Sequence, residues 1–398
     1  MAGGLQRLRF LPAADVYKQG ELAGRLARTE NGGTEFTYVP DYLKAGLPGI
    51  ATTLPPGEAP IVTHGGGLPA FFAGLLPEGH RLTVLKNAAK TSLDDELTLI
   101  MAVGADVPGD VQIVPAGEAL AEPEPLADTT DPAVLDFTVL AEALDLHGLP
   151  GVQPKVSASM LSAPLALSGG RYILKMNPPA HANLIQNEAA HLAAAKVLKI
   201  PVAAATIVHD KNALPGLLVT RFDRVSDGGQ WTHLPTEDGA QVLGLPPASK
   251  YSVAAEEVVA ALARVSKAPA VAARNLYLQF LFAWLTGNGD LHAKNVSVLG
   301  GRHGGGYAVA PVYDVPCTLV YGDITMALPV AGRSKNLRAR HWAEFAAEIG
   351  LPQRAAASAN AAALKAAASV DLEALPFHGS PLNRAVRELR HRRAELTG

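Results

Sequence analysis

Gly287-Asn288-Gly289-Asp290-Leu291-His292-Ala293-Lys294-Asn295 decides the reading of this chain, together with Pro311-Val312-Tyr313-Asp314 behind it. An Asp followed five positions later by an Asn, with a second Asp a hairpin's length on, is the spacing of a phosphoryl-transfer loop. In that scheme Asp290 takes the proton of the acceptor hydroxyl. Asn295 holds one magnesium ion, and Asp314 holds magnesium across the nucleotide phosphates. An Asp and an Asn in a polar loop after a helix is the bland alternative. Context favours chemistry. Leu276 to Leu285 is an apolar run fit for a buried helix, and Gly287 and Gly289 permit unusual backbone angles. Val296-Ser297-Val298-Leu299 then reads as a strand.

Working outward, His292 is placed to orient Asp290 or the loop backbone. Lys294 suits charge neutralisation on a transferring phosphoryl group, although a solvated loop lysine fits as well. Tyr172-Ile173-Leu174-Lys175 reads as a strand, with the Lys175 ammonium available to phosphate oxygens. A long Ala-rich helix follows from about Leu184 to Leu198, and Glu188 in it can pair with Lys175. Ahead of the strand, the turn-rich stretch Pro150-Gly151-Val152-Gln153-Pro154-Lys155 has the size of a phosphate loop, but two glycines at 148 and 151 are no full GxGxxG. Leu217 to Thr220 is an apolar strand running into Arg221-Phe222-Asp223-Arg224, where a hinge between two lobes falls. Backbone groups at Thr220, Arg221 and Phe222 would meet adenine there and Asp223 the ribose. A strand leaving the core into a charged turn fits the same residues.

The 398 residues exceed one ordinary core, so two or three domains are expected. Hydrophobic residues at 48% against 18% charged exclude a disordered chain, and a net charge of −3 excludes a nucleic-acid coat or membrane-surface protein. The single cysteine, Cys317, excludes an internal disulfide framework and suits a reducing compartment. Met1 to Phe10 shows no secretory signal pattern. The most apolar run falls short of the roughly 20 residues a bilayer span requires, so the expected location is cytoplasmic with no membrane partner. The organisation expected is a β-rich unit over 1–115, an acidic Pro-rich linker over 116–135, a strand-rich lobe over 136–235 and a helical lobe over 236–398. The basic stretch Arg384 to Arg393 reads as a helix, either solvated or touching DNA or an acidic partner.

In this order the segments resemble the HipA-type toxins, kinases of bacterial toxin–antitoxin systems. The resemblance covers nearly the whole chain. It includes Phe71-Phe72-Ala73-Gly74-Leu75-Leu76-Pro77-Glu78-Gly79, Gly104 to Gly109, Leu234-Pro235-Thr236-Glu237-Asp238, Leu245-Pro246-Pro247 and Lys250-Tyr251, besides the segments already quoted. It implies an α+β, bilobal protein-kinase-like (HipA-like) fold with an N-terminal β-rich subdomain and a helical C-lobe. It further implies ATP and Mg2+ as cofactors and phosphorylation of a serine or threonine on a protein, with an aminoacyl-tRNA synthetase as the expected target class. The implied partners are a HipB-like helix-turn-helix antitoxin and, mainly through it, operator DNA. Carried onto this sequence, Asp290 would be the base and Asn295 and Asp314 the metal ligands. Lys175 would bind phosphate, and Pro150 to Lys155, Thr220 to Phe222, His292 and Tyr313 would line the nucleotide. One departure stands out. Gly148 occupies the place where the family commonly carries a self-silencing serine, so that switch is expected to be absent in its usual form. Aminoglycoside- and choline-type small-molecule kinases share the Asp290–Asn295 loop pattern, and a catalytically silent co-repressor is a third reading. The N-terminal segment and the Arg221 to Arg224 turn argue against the first, and the intact Asp290, Asn295, Asp314 and Lys175 against the second.

Overall fold

Thr34, Phe36 and Tyr38 alternate inward along β3 (Thr34–Tyr38), the period-2 pattern of a sheet with one face in a core. In the computed structural model, which describes residues 2–121, 131–142, 161–167, 170–178, 181–227, 230–301 and 305–397, this strand belongs to a five-stranded antiparallel sheet. The order is β4-β3-β2-β1-β5, with β1 Ala13–Lys18, β2 Glu21–Arg28, β4 Ile61–Thr63 and β5 Val111–Pro115. Phe36, Phe72, Leu26, Leu97, Leu99 and Ile113 fill its core.

A second sheet runs β6-β7-β9-β8, with β6 Leu161–Leu167, β7 Gly170–Met176, β8 Ala205–His209 and β9 Pro215–Thr220. Leu174 and Met176 point from β7 into a small cluster with Phe137, Leu165 and Leu218. Alternation then sends Lys175, between them, to the other face, where the helix Leu184–Ala195 lies. A hairpin of β10 (Arg224–Asp227) and β11 (Gln230–His233) leads into the helical lobe.

That lobe is built on the helix Pro269–Thr286, with Pro at its start and Leu276 to Thr286 buried without a break. A helix apolar on all sides must be covered on all sides. The helices Ala255–Val265, Gln353–Ala368 and Gly379–Thr397 do so. Ala359, Ala363, Ala366 and Ala367 are fully buried, and side chains this small permit a close helix–helix approach. Arg392 from the basic C-terminal stretch is buried too. Its guanidinium sits 3.7 Å over the Trp284 ring and donates to the carbonyls of Trp284 (3.1 Å) and Ile324 (2.9 Å). Part of that basic helix is therefore packing. In a short sheet of β12 (Thr236–Asp238), β13 (Ser297–Gly300) and β14 (Tyr307–Val309), the central strand β13 follows directly on the 287–295 loop.

The architecture is α+β, a bilobal kinase-like body with an N-terminal β-rich subdomain docked on it. The docking contacts are polar and buried. Arg221 donates to Asp106 (2.7 Å) and Asp223 (3.0 Å), and Arg224 to the same two carboxylates (2.5 and 2.7 Å). Gly109 N–H donates to Asp223 at 3.1 Å. Glu237 accepts from Thr52 N–H and hydroxyl, and Gln241 Nε2 donates to the Phe71 carbonyl. Among the described residues no helix is long and apolar enough to cross a membrane.

Candidate active site

The helix Pro269–Thr286 ends where Gly287 takes φ +78°, a left-handed angle that glycine adopts without strain. The chain then turns sharply through Asn288 and Gly289. A Cβ at Gly289 would stand 2.5 Å from both Asp323 Oδ2 and the Thr325 carbonyl oxygen, so the close approach requires glycine. Thr318 braces the turn, its hydroxyl accepting from Gly289 N–H at 2.7 Å.

Asp290 follows, almost fully buried. Its backbone N–H donates to Asn288 Oδ1 (2.9 Å), and Tyr251 Oη donates to its Oδ1 (2.9 Å). Burial, and after it the Asp290 carboxylate, pushes the Tyr251 hydroxyl above its ordinary pKa, so it remains a donor. Asn295 Nδ2 donates to the Asp290 carbonyl at 2.9 Å. That bond fixes the amide and leaves Oδ1 as its hard oxygen for a cation.

Asp314 has φ +54°, an uncommon angle for a non-glycine residue. It is positioned by the preceding extended segment, where Val312 exchanges backbone bonds with Pro201 and Ala203 at 2.9 Å each. The result joins the lobes. Lys175 Nζ lies 2.7 and 3.0 Å from the Glu188 carboxylate oxygens and 3.1 Å from Asp314 Oδ1. Burial alone would pull this ammonium toward neutrality, but Asp314 and Glu188 outweigh it and its pKa is raised. A lysine charged at every working pH, a carboxylate and an amide oxygen suit phosphate oxygens and a magnesium ion, which prefers few protein ligands.

Several expected residues stand elsewhere in the arrangement. The segment from Pro150 to Lys155 (Gly151, Val152, Gln153 and Pro154 between) lies outside the described residues, as does Gly148. Asp223 was expected at a ribose. Its carboxylate instead ties Arg221, Arg224 and Gly109 across the docking interface, so it serves as a strut. The Arg221 side chain goes the same way, and its N–H donates to the Arg171 carbonyl. Thr220 N–H donates to Ala204, within the sheet region. Phe222 does turn toward the site, 5.7 Å from the Tyr313 ring. Tyr313 Oη donates to the Lys294 carbonyl at 2.8 Å and bonds Ser297 Oγ at 2.6 Å. His292 is buried inside the loop, its Nδ1 accepting from Lys294 N–H and its ring set edge-on to Tyr251 at 5.0 Å.

Lys294 also departs from expectation. Its Nζ does not face the Lys175–Asp314 cleft but is buried on the subdomain side, donating to Glu78 Oε1 (2.8 Å) and the Gly74 carbonyl (2.9 Å). Lys250 Nζ reaches the other oxygen, Glu78 Oε2, at 2.5 Å. Burial would push the Glu78 pKa up, but the Lys294 and Lys250 ammoniums outweigh it and hold it below the ordinary carboxylate range. Glu78, Lys250 and Tyr251 had no assigned chemistry in the sequence. The first two lie 172 positions apart, and no local pattern pairs them.

A family model described as the HipA-like C-terminal domain matches residues 147–370, and one described as the HipA N-terminal domain matches residues 14–114. A protein of Sinorhizobium fredii carrying a provisional kinase name, Y4mE, is 29% identical over 369 residues, covering 85% of this chain and 86% of that protein. The serine/threonine-protein kinase toxin HipA of Shewanella oneidensis is 28% identical over 349 residues, covering 79% of this chain and 78% of its own. In the solved complex of Shewanella oneidensis MR-1 HipA, HipB and operator DNA, one chain shares this fold with a TM-score of 0.72. The match covers 96% of both chains at 22% identity.

Proposed function

This chain belongs to the HipA-like family, and we propose that it is an ATP- and magnesium-dependent Ser/Thr protein kinase acting as the toxin of a toxin–antitoxin pair. The observation that carries the reading is the bridge from Lys175 to Glu188 and Asp314, joined to the Asp290–Asn295 loop where Asn288 Nδ2 donates to the Asp314 carbonyl at 3.4 Å. Lys175 binds phosphate oxygens. Asn295 Oδ1 and the Asp314 carboxylate would hold magnesium, which would supply positive charge to the phosphates. Asp290, oriented by Tyr251, accepts the proton of the acceptor hydroxyl. Phe222 and Tyr313 flank the nucleotide from the two lobes.

A protein acceptor, with an aminoacyl-tRNA synthetase as the target class, is the finer part of this proposal. A HipB-like antitoxin, with operator DNA bound mainly through it, is the expected partner. The similar Shewanella chain in complex with HipB and operator DNA supports that expectation. The test is transfer of labelled phosphate from ATP into a cell extract, with Asp290→Asn as control. A labelled protein band that disappears in the variant is expected. Label only in small molecules would favour the small-molecule kinase, and no label with either form would sink the enzymatic reading.

A further inference from the structure

Glu78 sits on the N-terminal subdomain, yet its carboxylate ends beside the catalytic loop. It meets two ammoniums, Lys250 at 2.5 Å and Lys294 at 2.8 Å. All three residues are buried, at 8%, 1% and 7% exposure, so the charges are poorly screened by water. The backbone of each lysine is also tied into the site. The Lys250 carbonyl accepts from Ala293 N–H at 3.1 Å, and the Lys294 carbonyl from Tyr313 Oη at 2.8 Å. The next residue after Lys250 is Tyr251, whose hydroxyl holds Asp290. One subdomain carboxylate therefore reaches the base from two directions, through Lys250–Tyr251 and through Lys294.

We propose that Glu78 is a positioning residue of the phosphoryl-transfer reaction. It bridges Lys250 and Lys294 and so makes the geometry of Asp290 depend on docking of the N-terminal subdomain. The proposal rests on the kinase reading of the Asp290 site. Its physical basis is charge balance. With Glu78 removed, two buried ammoniums face each other without their shared counter-ion, and burying an uncompensated charge is strongly unfavourable. The cheapest relief is for Lys250 and Lys294 to swing toward water. Because their backbones carry Tyr251 and Ala293, that movement loosens the base. Lys175 and Glu188 pair with each other and with Asp314 rather than with Glu78, Lys250 or Lys294, so the phosphate-binding lysine keeps its partners and the main effect falls on the saturating rate.

The test uses the full chain in three forms: wild type, Glu78→Gln, and the charge-balanced Glu78→Gln/Lys250→Met. The second variant guards against a simple failure to fold, since it removes one charge of each sign. Two readouts are taken. One is the rate of labelled-phosphate transfer into extract as a function of ATP. The other is amide hydrogen exchange in peptides spanning 288–296. The saturating rate is expected to fall about 10²-fold, as for a misplaced reacting group, in both variants. The ATP concentration giving half-maximal rate should stay within about twofold. Loop amides should exchange at least about tenfold faster, as in a local opening. Wild-type rate and wild-type exchange in the two variants would overturn the proposal. So would parallel losses of rate and ATP affinity with unchanged exchange, the mark of a merely structural role. If wild type itself transfers no phosphate, the kinase reading falls, and the exchange data alone decide the clamp.

Discussion

Asp314 Oδ1 accepts a hydrogen bond from Lys175 Nζ at 3.1 Å, a contact that closes across 139 positions of sequence and joins the two lobes. Glu188 shares the same ammonium and is fully buried. Replacing Lys175 by Met leaves two carboxylates facing each other without a cation. Breaking a buried pair in this way costs about 3 kcal/mol or more. Lys175→Met is therefore expected to lower the thermal midpoint and to weaken binding of a fluorescent ATP analogue at least about tenfold. Unchanged analogue binding would remove Lys175 from the nucleotide site.

Tyr251 makes a separable contribution. Its hydroxyl holds Asp290 Oδ1, while its ring packs on His292. Tyr251→Phe keeps the ring and deletes one hydrogen bond to a carboxylate, an interaction worth about 1.5–3 kcal/mol. A fall of about tenfold in the saturating transfer rate is expected, with a drop of a few degrees in the thermal midpoint. Asp290→Asn should abolish transfer. Equal rates for Tyr251→Phe and wild type would show that the loop alone orients the base.

Asp223 distinguishes a strut from a ribose ligand. Its carboxylate lies between Arg221 and Arg224, and those guanidiniums, outweighing burial, pull its pKa down to about 2. Asp223→Asn should destabilise the docked subdomain by about 3 kcal/mol, seen by calorimetry, and leave the ATP concentration for half-maximal rate in place. Weakened ATP dependence with an unaltered calorimetric trace would restore the ribose role.

The geometry of the Asp290–Asn295 loop was legible in the sequence because its residues are local. Asp290, Asn295 and Asp314 fall within one helix–loop–hairpin, and the glycines at 287 and 289 announce the turn. Lys175 and Glu188 were readable for a related reason. A strand and the helix after it fix their relation, and period-2 alternation puts Lys175 on the helix side. The docking interface was not readable. Arg221-Phe222-Asp223-Arg224 looks the same whether it meets a nucleotide or another subdomain, and only Asp106, 115 positions away from Arg221, decides between them. Lys294 failed for the same reason, since its partner Glu78 lies 216 positions earlier. Residues whose role depends on long-range charge pairing carry no periodic or spacing signal that points to the partner.

Asp238 gives a pH test independent of catalysis. It closes β12, and its Oδ1 caps the short helix Gly239–Val242 by accepting from Gln241 N–H at 2.8 Å. Burial, opposed mainly by Lys294, raises its pKa from 3.8 to about 6. The folded state thus holds this proton more tightly than the unfolded chain does. Its contribution to stability is fully present below pH 3.8 and is lost as pH rises to about 6. At roughly 1.4 kcal/mol per pH unit, the loss amounts to about 3 kcal/mol. Asp238→Asn keeps an oxygen to cap the helix but cannot ionise. The variant should therefore gain on wild type between pH 4 and pH 6 and hold a constant lead above that, read as the difference in thermal midpoint at each pH. Parallel midpoint curves over this range would mean that Asp238 titrates as an ordinary carboxylate, with Lys294 compensating its burial in full.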